Sequence, residues 1–267
     1  MNIWDSVILG AVQGLTEFLP ISSSGHLVIV EHVLSLKFND LTFEVVVHFG
    51  TFLSILFVFG GDVLHVILGF FRGIFSRNIV KNFSYDSDFR LSVFIIAGSV
   101  PAGLVGIFLK EPIEQIFHSI NLVGIMLMVT GLILFLTRLV YVREKRVSFF
   151  RAILIGIAQA FAILPGISRS GITISTGLFS GLSREEAVRF SFLLSLPAIF
   201  GANIVELSDM ESSSIQGNFL SFFVGFLVAF VTGYIAIKLL IMMIKSGRFS
   251  WFSYYCLILG MLVLLFL

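Results

Sequence analysis

The chain has 267 residues, 57% of them hydrophobic and only 12% charged, and its mean hydropathy is +1.05. Soluble domains carry about 25% charged residues, so an apolar load spread over the whole length excludes a single water-soluble core and points to a polytopic helical membrane protein. One cysteine, Cys256, excludes a disulfide framework and a cysteine-based metal site, and a net charge of +1 carries no nucleic-acid signature.

In chain order, the first apolar region is 3–34. No Lys or Arg precedes Lys37, and Asp5 sits where a basic segment would be, so this start does not read as a secretory signal. Its middle is broken by Pro20, three serines and Gly25, leaving halves of about 12–15 residues, too short to cross a bilayer alone. Runs at 44–60, 92–109 and 120–138 are long enough to span. The region 152–182 is broken like the first, and runs at 187–207, 218–241 and 250–267 complete the chain. The expected fold is an all-α polytopic membrane protein of six transmembrane helices plus two re-entrant helix–loop–helix hairpins.

The two halves correspond. An offset of 146 pairs Gly10 with Gly156, Gln13 with Gln159, Ile21 with Ile167, Ser22 with Ser168, Ser24 with Ser170 and Gly25 with Gly171. Three spans per half is an odd number, so the second half must enter the membrane from the opposite face. The expectation is one domain, 1–267, built of inverted-topology repeats at about 1–140 and 147–267, with a binding site near the midplane where broken helices meet.

Basic residues predict the orientation. Arg72, Arg77, Lys81, Arg90, Arg138, Arg143, Lys145, Arg146, Arg151, Arg184, Arg189, Lys238, Lys245 and Arg248 all fall on one side, 14 of the 17 Lys and Arg. That side is read as cytoplasmic. The segment 206–217 on the other side has Glu206, Asp209 and Glu211 and no basic residue. Both termini and the first hairpin then face outward, and the second hairpin enters from the cytoplasm.

Gln13 and Glu17 are one helical turn apart and share a face. A carboxylate at membrane depth costs about 2.5–3.5 kcal/mol or more and marks function; it reads as a metal ligand or acid/base group, with Gln13 an oxygen ligand beside it. Against this stands a Glu that only caps the loop. Ser22, Ser23, Ser24 and Gly25 offer hydroxyls and first-turn N–H groups to an anion. His26 follows, catalytic or structural. Arg169, between Ser168 and Ser170 and before Gly171, is the lone cation of the second hairpin and needs an anionic partner, either Glu17 or a phosphate. Thr173 lies one turn beyond it. Glu44 and His48 share a face at the outer end of the first span, as a pocket-mouth pair or as interfacial residues. Glu31 and His32 read as interfacial, His65 and His118 as loop residues, and Gly177 with Gly181 as a helix-packing pair.

QGLTEFLPISSSGH (13–26) and PGISRSGIT (165–173) resemble the two signature regions of the bacterial undecaprenyl-diphosphatase, or bacitracin-resistance, family. TFEVVVHFGT from Thr42 and FSFLLSLPAIFGA from Phe190 extend the resemblance over essentially the whole chain. It implies an enzyme of the bacterial cytoplasmic membrane that hydrolyses undecaprenyl diphosphate to undecaprenyl phosphate and inorganic phosphate. That product is the carrier lipid for wall polymers. It further implies a divalent cation, Mg²⁺ or Ca²⁺, near Glu17 and Gln13, and an essential arginine at Arg169. Gln13 departs from the family, where many members have Glu, which puts metal affinity in question.

Together these readings assign catalysis to Glu17, Ser23, His26 and Arg169. Substrate binding falls to Gln13, Ser22, Ser24, Gly25, Ser168, Ser170, Gly171 and Thr173, and metal binding to Gln13 and Glu17. The nucleophile is Ser23, His26 or water, with Ser23 preferred and His26 or Glu17 as its base. A polyprenyl-phosphate flippase is the rival reading, and a binding or assembly protein a distant third. The partners are the lipid substrate and the membrane; the oligomeric state, a homodimer included, stays open.

Overall fold

A computed structural model describes residues 2–34, 41–109, 112, 119–140, 145–208 and 219–267, and the statements below concern these. Their regular structure is helical: α1 Ile3–Phe18, α2 Ser23–Leu34, α3 Leu41–Ile74, α4 Ile79–Tyr85, α5 Ser87–Phe108, α6 Ile120–Leu136, α7 Phe149–Phe161, α8 Arg169–Phe179, α9 Arg184–Ser208, α10 Phe219–Lys245 and α11 Phe252–Phe266. Six of these elements are long and apolar enough to cross a membrane, at Phe43–Ile74, Ser87–Phe108, Ile120–Leu139, Arg184–Ile204, Phe219–Lys245 and Phe249–Phe266. They coincide with the six spans read from sequence.

The first span differs in its end. The run was expected to end near residue 60, at Gly60 and Gly61 in the sequence, yet α3 runs on to Ile74 through a kink at Phe59, whose φ/ψ is −108°/18°. Each helical glycine costs only about 1 kcal/mol against Ala. Asp62, just past the kink, is held by Arg189 of α9, with Nε 2.7 Å from Oδ1. His65 is therefore a helix residue, not a loop residue. His118, Arg143, Asp209 and Glu211 lie outside the described residues, as do the side chains of Glu31 and Glu206.

The other four long elements make two helix–loop–helix pairs. At 1.5 Å per residue, α1, α2, α7 and α8 are roughly 24, 18, 20 and 17 Å long, all short of a hydrocarbon core of about 30 Å. Contacts tie the outer ends of the second pair together. Arg151 near the start of α7 donates to Ser180 O just past α8 (3.1 Å), and Lys145 N donates to Gly181 O (3.1 Å). Gly181 has φ +86°, so it serves a turn rather than helix packing, whereas Gly177 does pack, on Ala187 of α9.

Packing is reciprocal between the halves. Helix α1 lies along α10 and α7 along α5, while α6 and α11 pair with one another. Each contact is closed by glycine. A Cβ on Gly10 would sit 2.6 Å from Gly225 O, one on Gly156 2.1 Å from Gly98 O, and one on Gly260 2.6 Å from Gly124 O. Small residues at crossings let backbones touch where lipid supplies no hydrophobic drive. At the centre is α9, 61% buried over its apolar window against 17% for α3. Its Phe192 packs on Phe18 and Phe59, with ring centroids 5.7 and 5.2 Å away. Large apolar side chains such as Trp4, Phe57, Phe108 and Phe266 remain exposed on the outside, as a lipid-facing surface requires.

Candidate active site

The buried face of α1 is Gly10, Gln13, Gly14 and Glu17, spaced at helical period. The two glycines bring the backbone against Gly225, Ala229 and Gly233 of α10. The same tight stripe turns Gln13 and Glu17 inward, where they are 0% and 7% exposed. Helix α1 stops at Phe18 because Leu19 is extended before Pro20. Ser22 then takes φ +70°, the sole non-glycine positive φ among the described residues. Such a conformation costs on the order of 1–2 kcal/mol, and here it starts α2.

The two hairpin turns are built alike. Ser22 Oγ lies 3.3 Å from Ser24 Oγ and accepts from Gly25 N (3.3 Å). At the offset of 146, Ser168 Oγ lies 3.2 Å from Ser170 Oγ and accepts from Gly171 N (3.1 Å). The turns also touch: Ser170 Oγ donates to Leu19 O (3.3 Å), and a Cβ on Gly25 would meet Gly166 Cα at 3.1 Å. Thr130 of α6 fixes the second turn from behind, donating to Gly166 O (3.0 Å) and accepting from Ser168 N (3.1 Å). The N-termini of α2 and α8 therefore converge, and the first turn of a helix leaves N–H groups without intrahelical partners.

Glu17 is the hub. Its Oε1 is ion-paired with Arg169 Nη2. Its Oε2 accepts from Ser23 Oγ (2.6 Å) and Gln13 Nε2 (2.9 Å). A carboxylate buried in this way requires such pairing. Ser23 hydroxyl, Glu17 carboxylate and Arg169 guanidinium form one chain across the two turns. Gln13 Oε1 is buried with no hydrogen-bond partner.

Two predicted members face elsewhere. The His26 ring meets Ser22 O through Nδ1 (2.7 Å) and the Tyr255 hydroxyl of α11 through Nε2 (2.7 Å), and stacks on that ring at 5.6 Å. Both ring nitrogens are thus engaged away from Ser23, whose hydroxyl meets Glu17 instead. Thr173 Oγ1 donates back to Arg169 O (2.7 Å) and pairs with Ser191 Oγ of α9 (2.6 Å), so it braces the helix instead of facing the guanidinium. Conversely, His48 comes further in than a pocket mouth: Nδ1 is 3.0 Å from Gln13 Nε2 and 3.9 Å from Glu17 Oε2. Its helical spacing from Glu44 was a visible signal; for Tyr255 and Thr130, single polar residues in spans remote in sequence, there was none.

Oxygen donors suit a hard divalent cation, which is held through one or two carboxylates together with substrate phosphates. Gln13 Oε1 and the Glu17 carboxylate fit that limited role. No group of three or more His, Cys, Asp or Glu among the described residues forms a self-sufficient metal cage.

The chain matches the protein family described as Bacitracin resistance protein BacA over residues 6–262. It is 42% identical to an undecaprenyl-diphosphatase of Carboxydothermus hydrogenoformans over 99% of this chain and 97% of that one. The protein of the same name from Korarchaeum cryptofilum is 44% identical over 99% of both, and that from Desulfosudis oleivorans 46% over 95% and 94%.

Proposed function

The chain belongs to the Bacitracin resistance protein BacA family, and from that premise we propose that it is a multi-pass membrane phosphatase hydrolysing undecaprenyl diphosphate to undecaprenyl phosphate and inorganic phosphate. The observation that carries the reading is the Ser23–Glu17–Arg169 chain across the two turns. A flippase using the same anion site is not favoured, since the relatives bear a hydrolase's name.

Phosphoryl transfer needs positioning and charge neutralisation above all. In the free protein Arg169 is balanced by Glu17. The incoming diphosphate takes over the guanidinium, which grips phosphate oxygens bidentately, and the N-termini of α2 and α8 add N–H donors. Released from Arg169, Glu17 becomes the stronger base toward Ser23. The Ser23 oxygen attacks the terminal phosphorus as its proton passes to Glu17, and the anhydride bond breaks toward undecaprenyl phosphate. Glu17 hands that proton to the departing undecaprenyl phosphate; water then cleaves the phosphoserine, its proton passing to Glu17 and from there to the leaving Ser23 oxygen. Direct attack by water is the other route through the same residues. Gln13 and Glu17 would hold an Mg²⁺ or Ca²⁺ ion, which supplies further charge neutralisation when bound.

The same proposal takes the repeats as inverted and the α1–α2 and α7–α8 pairs as re-entrant. The paired serine turns, the reciprocal glycine contacts and the joined ends of α7–α8 support it. The side bearing Lys81, Arg151 and Arg184 is taken as cytoplasmic on the charge rule, and impermeant thiol labelling of a cysteine placed at Lys81 decides that side. The whole reading is tested by giving the purified protein undecaprenyl diphosphate and Mg²⁺. Phosphate is released, and Glu17→Gln slows release roughly 10²–10⁴-fold. No release, or a fully active Glu17→Gln, overturns it.

A further inference from the structure

A second cationic cavity lies away from this site. It has a volume of about 340 Å³ and is lined, among the described residues, by the turn after α6, Leu178 of α8, the first residue of α9 and the α10–α11 connection. Arg138, in the turn that continues α6, lies eight residues beyond Thr130, or about 12 Å along the axis, so the cavity and the paired turns do not overlap.

Two guanidiniums line it, from Arg138 and Arg184, and its lining among the described residues contains no Asp or Glu. Arg138 is held in place by neutral groups. Its Nε donates to Ser250 Oγ (3.0 Å) and its Nη1 to the Tyr254 hydroxyl (2.9 Å), and the head lies 4.9 Å from the Tyr254 ring centroid. None of these partners offsets its charge. Arg184 lies across Gly247, where a Cβ would come within 3.3 Å of Nη1, and Gly247 holds φ +74°. The floor includes the buried side chains of Leu178 and Ile244, and Trp251 stands at the rim with Arg248 5.4 Å over its ring. A planar fork fixed by neutral donors, a second fork beside it and an apolar floor form a receptor for a phosphate carrying net negative charge. The exposed Trp251 and Tyr254 are the aromatic pair of a membrane–water interface, and basic pockets between spans hold anionic headgroups.

We propose that this cavity binds an anionic phosphate, as the headgroup of a membrane phospholipid or as free phosphate, at a site separate from the hydrolytic one. The whole chain is placed in phosphatidylcholine nanodiscs with or without phosphatidylglycerol, and the lipids it retains are read by native mass spectrometry. In a second arm, inorganic phosphate is titrated in detergent while Trp251 fluorescence is followed. Arg184→Gln is the informative variant, because Arg184 is exposed and makes no hydrogen bond or ion pair among the described residues. Selective retention of phosphatidylglycerol, weakened roughly tenfold or more in Arg184→Gln, identifies a lipid headgroup. Saturation by inorganic phosphate without lipid selectivity, again lost in the variant, identifies a soluble phosphate. If neither arm gives binding, or Arg184→Gln binds as well as the wild type, the proposal is overturned.

Discussion

Tyr255 gives His26 its position. The hydroxyl meets Nε2 at 2.7 Å while the ring stacks within 6° of parallel, and Nδ1 anchors the carbonyl of strained Ser22. Tyr255→Phe keeps the stack and loses a hydrogen bond worth about 1 kcal/mol. Activity is expected to fall about fivefold in kcat with KM little changed, and further in Tyr255→Ala. Equal, unimpaired kinetics in both variants would leave His26 without a positioning role. At this scale charge was the legible signal. Glu17 and Arg169 stand out in sequence because a charge in an apolar run demands a partner, and the structure makes them each other's. His26 was visible as a residue but not as a contact, since its partner lies 229 positions away. Ser23 and His26 are three apart, a spacing that shares a helical face, yet the ring turns to Ser22 O and Tyr255 instead.

Among the elements, the glycine contacts carry the prediction. Gly10→Ala and Gly156→Ala each drive a methyl into a backbone carbonyl of the facing helix, an overpacking cost of about 1–3 kcal/mol. Gly106→Ala on α5 meets nothing within 4 Å and gains helix propensity instead. Thermal unfolding in detergent should rank both close-contact variants below wild type and Gly106→Ala at or above it; a reversed order would contradict the packing described. The length of each apolar run fixed the six spans, since bilayer thickness sets a simple ruler. The end of α3 was illegible because glycine stops a helix only when nothing holds the chain on, and Arg189 on Asp62 does so from another helix.

For the whole molecule, the offset of 146 was the most informative reading of the sequence. It paired the two turns before any contact was known, and the paired serine caps agree with it to within 0.1–0.2 Å (3.3 against 3.2 Å between hydroxyls, 3.3 against 3.1 Å from the amide). What it could not give is which side chains cross between the halves, because that depends on how α10 and α5 receive α1 and α7. The central claim is that one turn supplies Ser23 and the other Arg169 to a single reaction. Groups that act as a unit lose activity non-additively. The most direct test is phosphate release from undecaprenyl diphosphate by Ser23→Ala, Arg169→Ala and the double variant, each checked for native unfolding behaviour. The account predicts that each single change costs roughly 10²–10⁴-fold and that the double costs little more than either alone. Full activity in either single variant, or losses that multiply in the double, would contradict it.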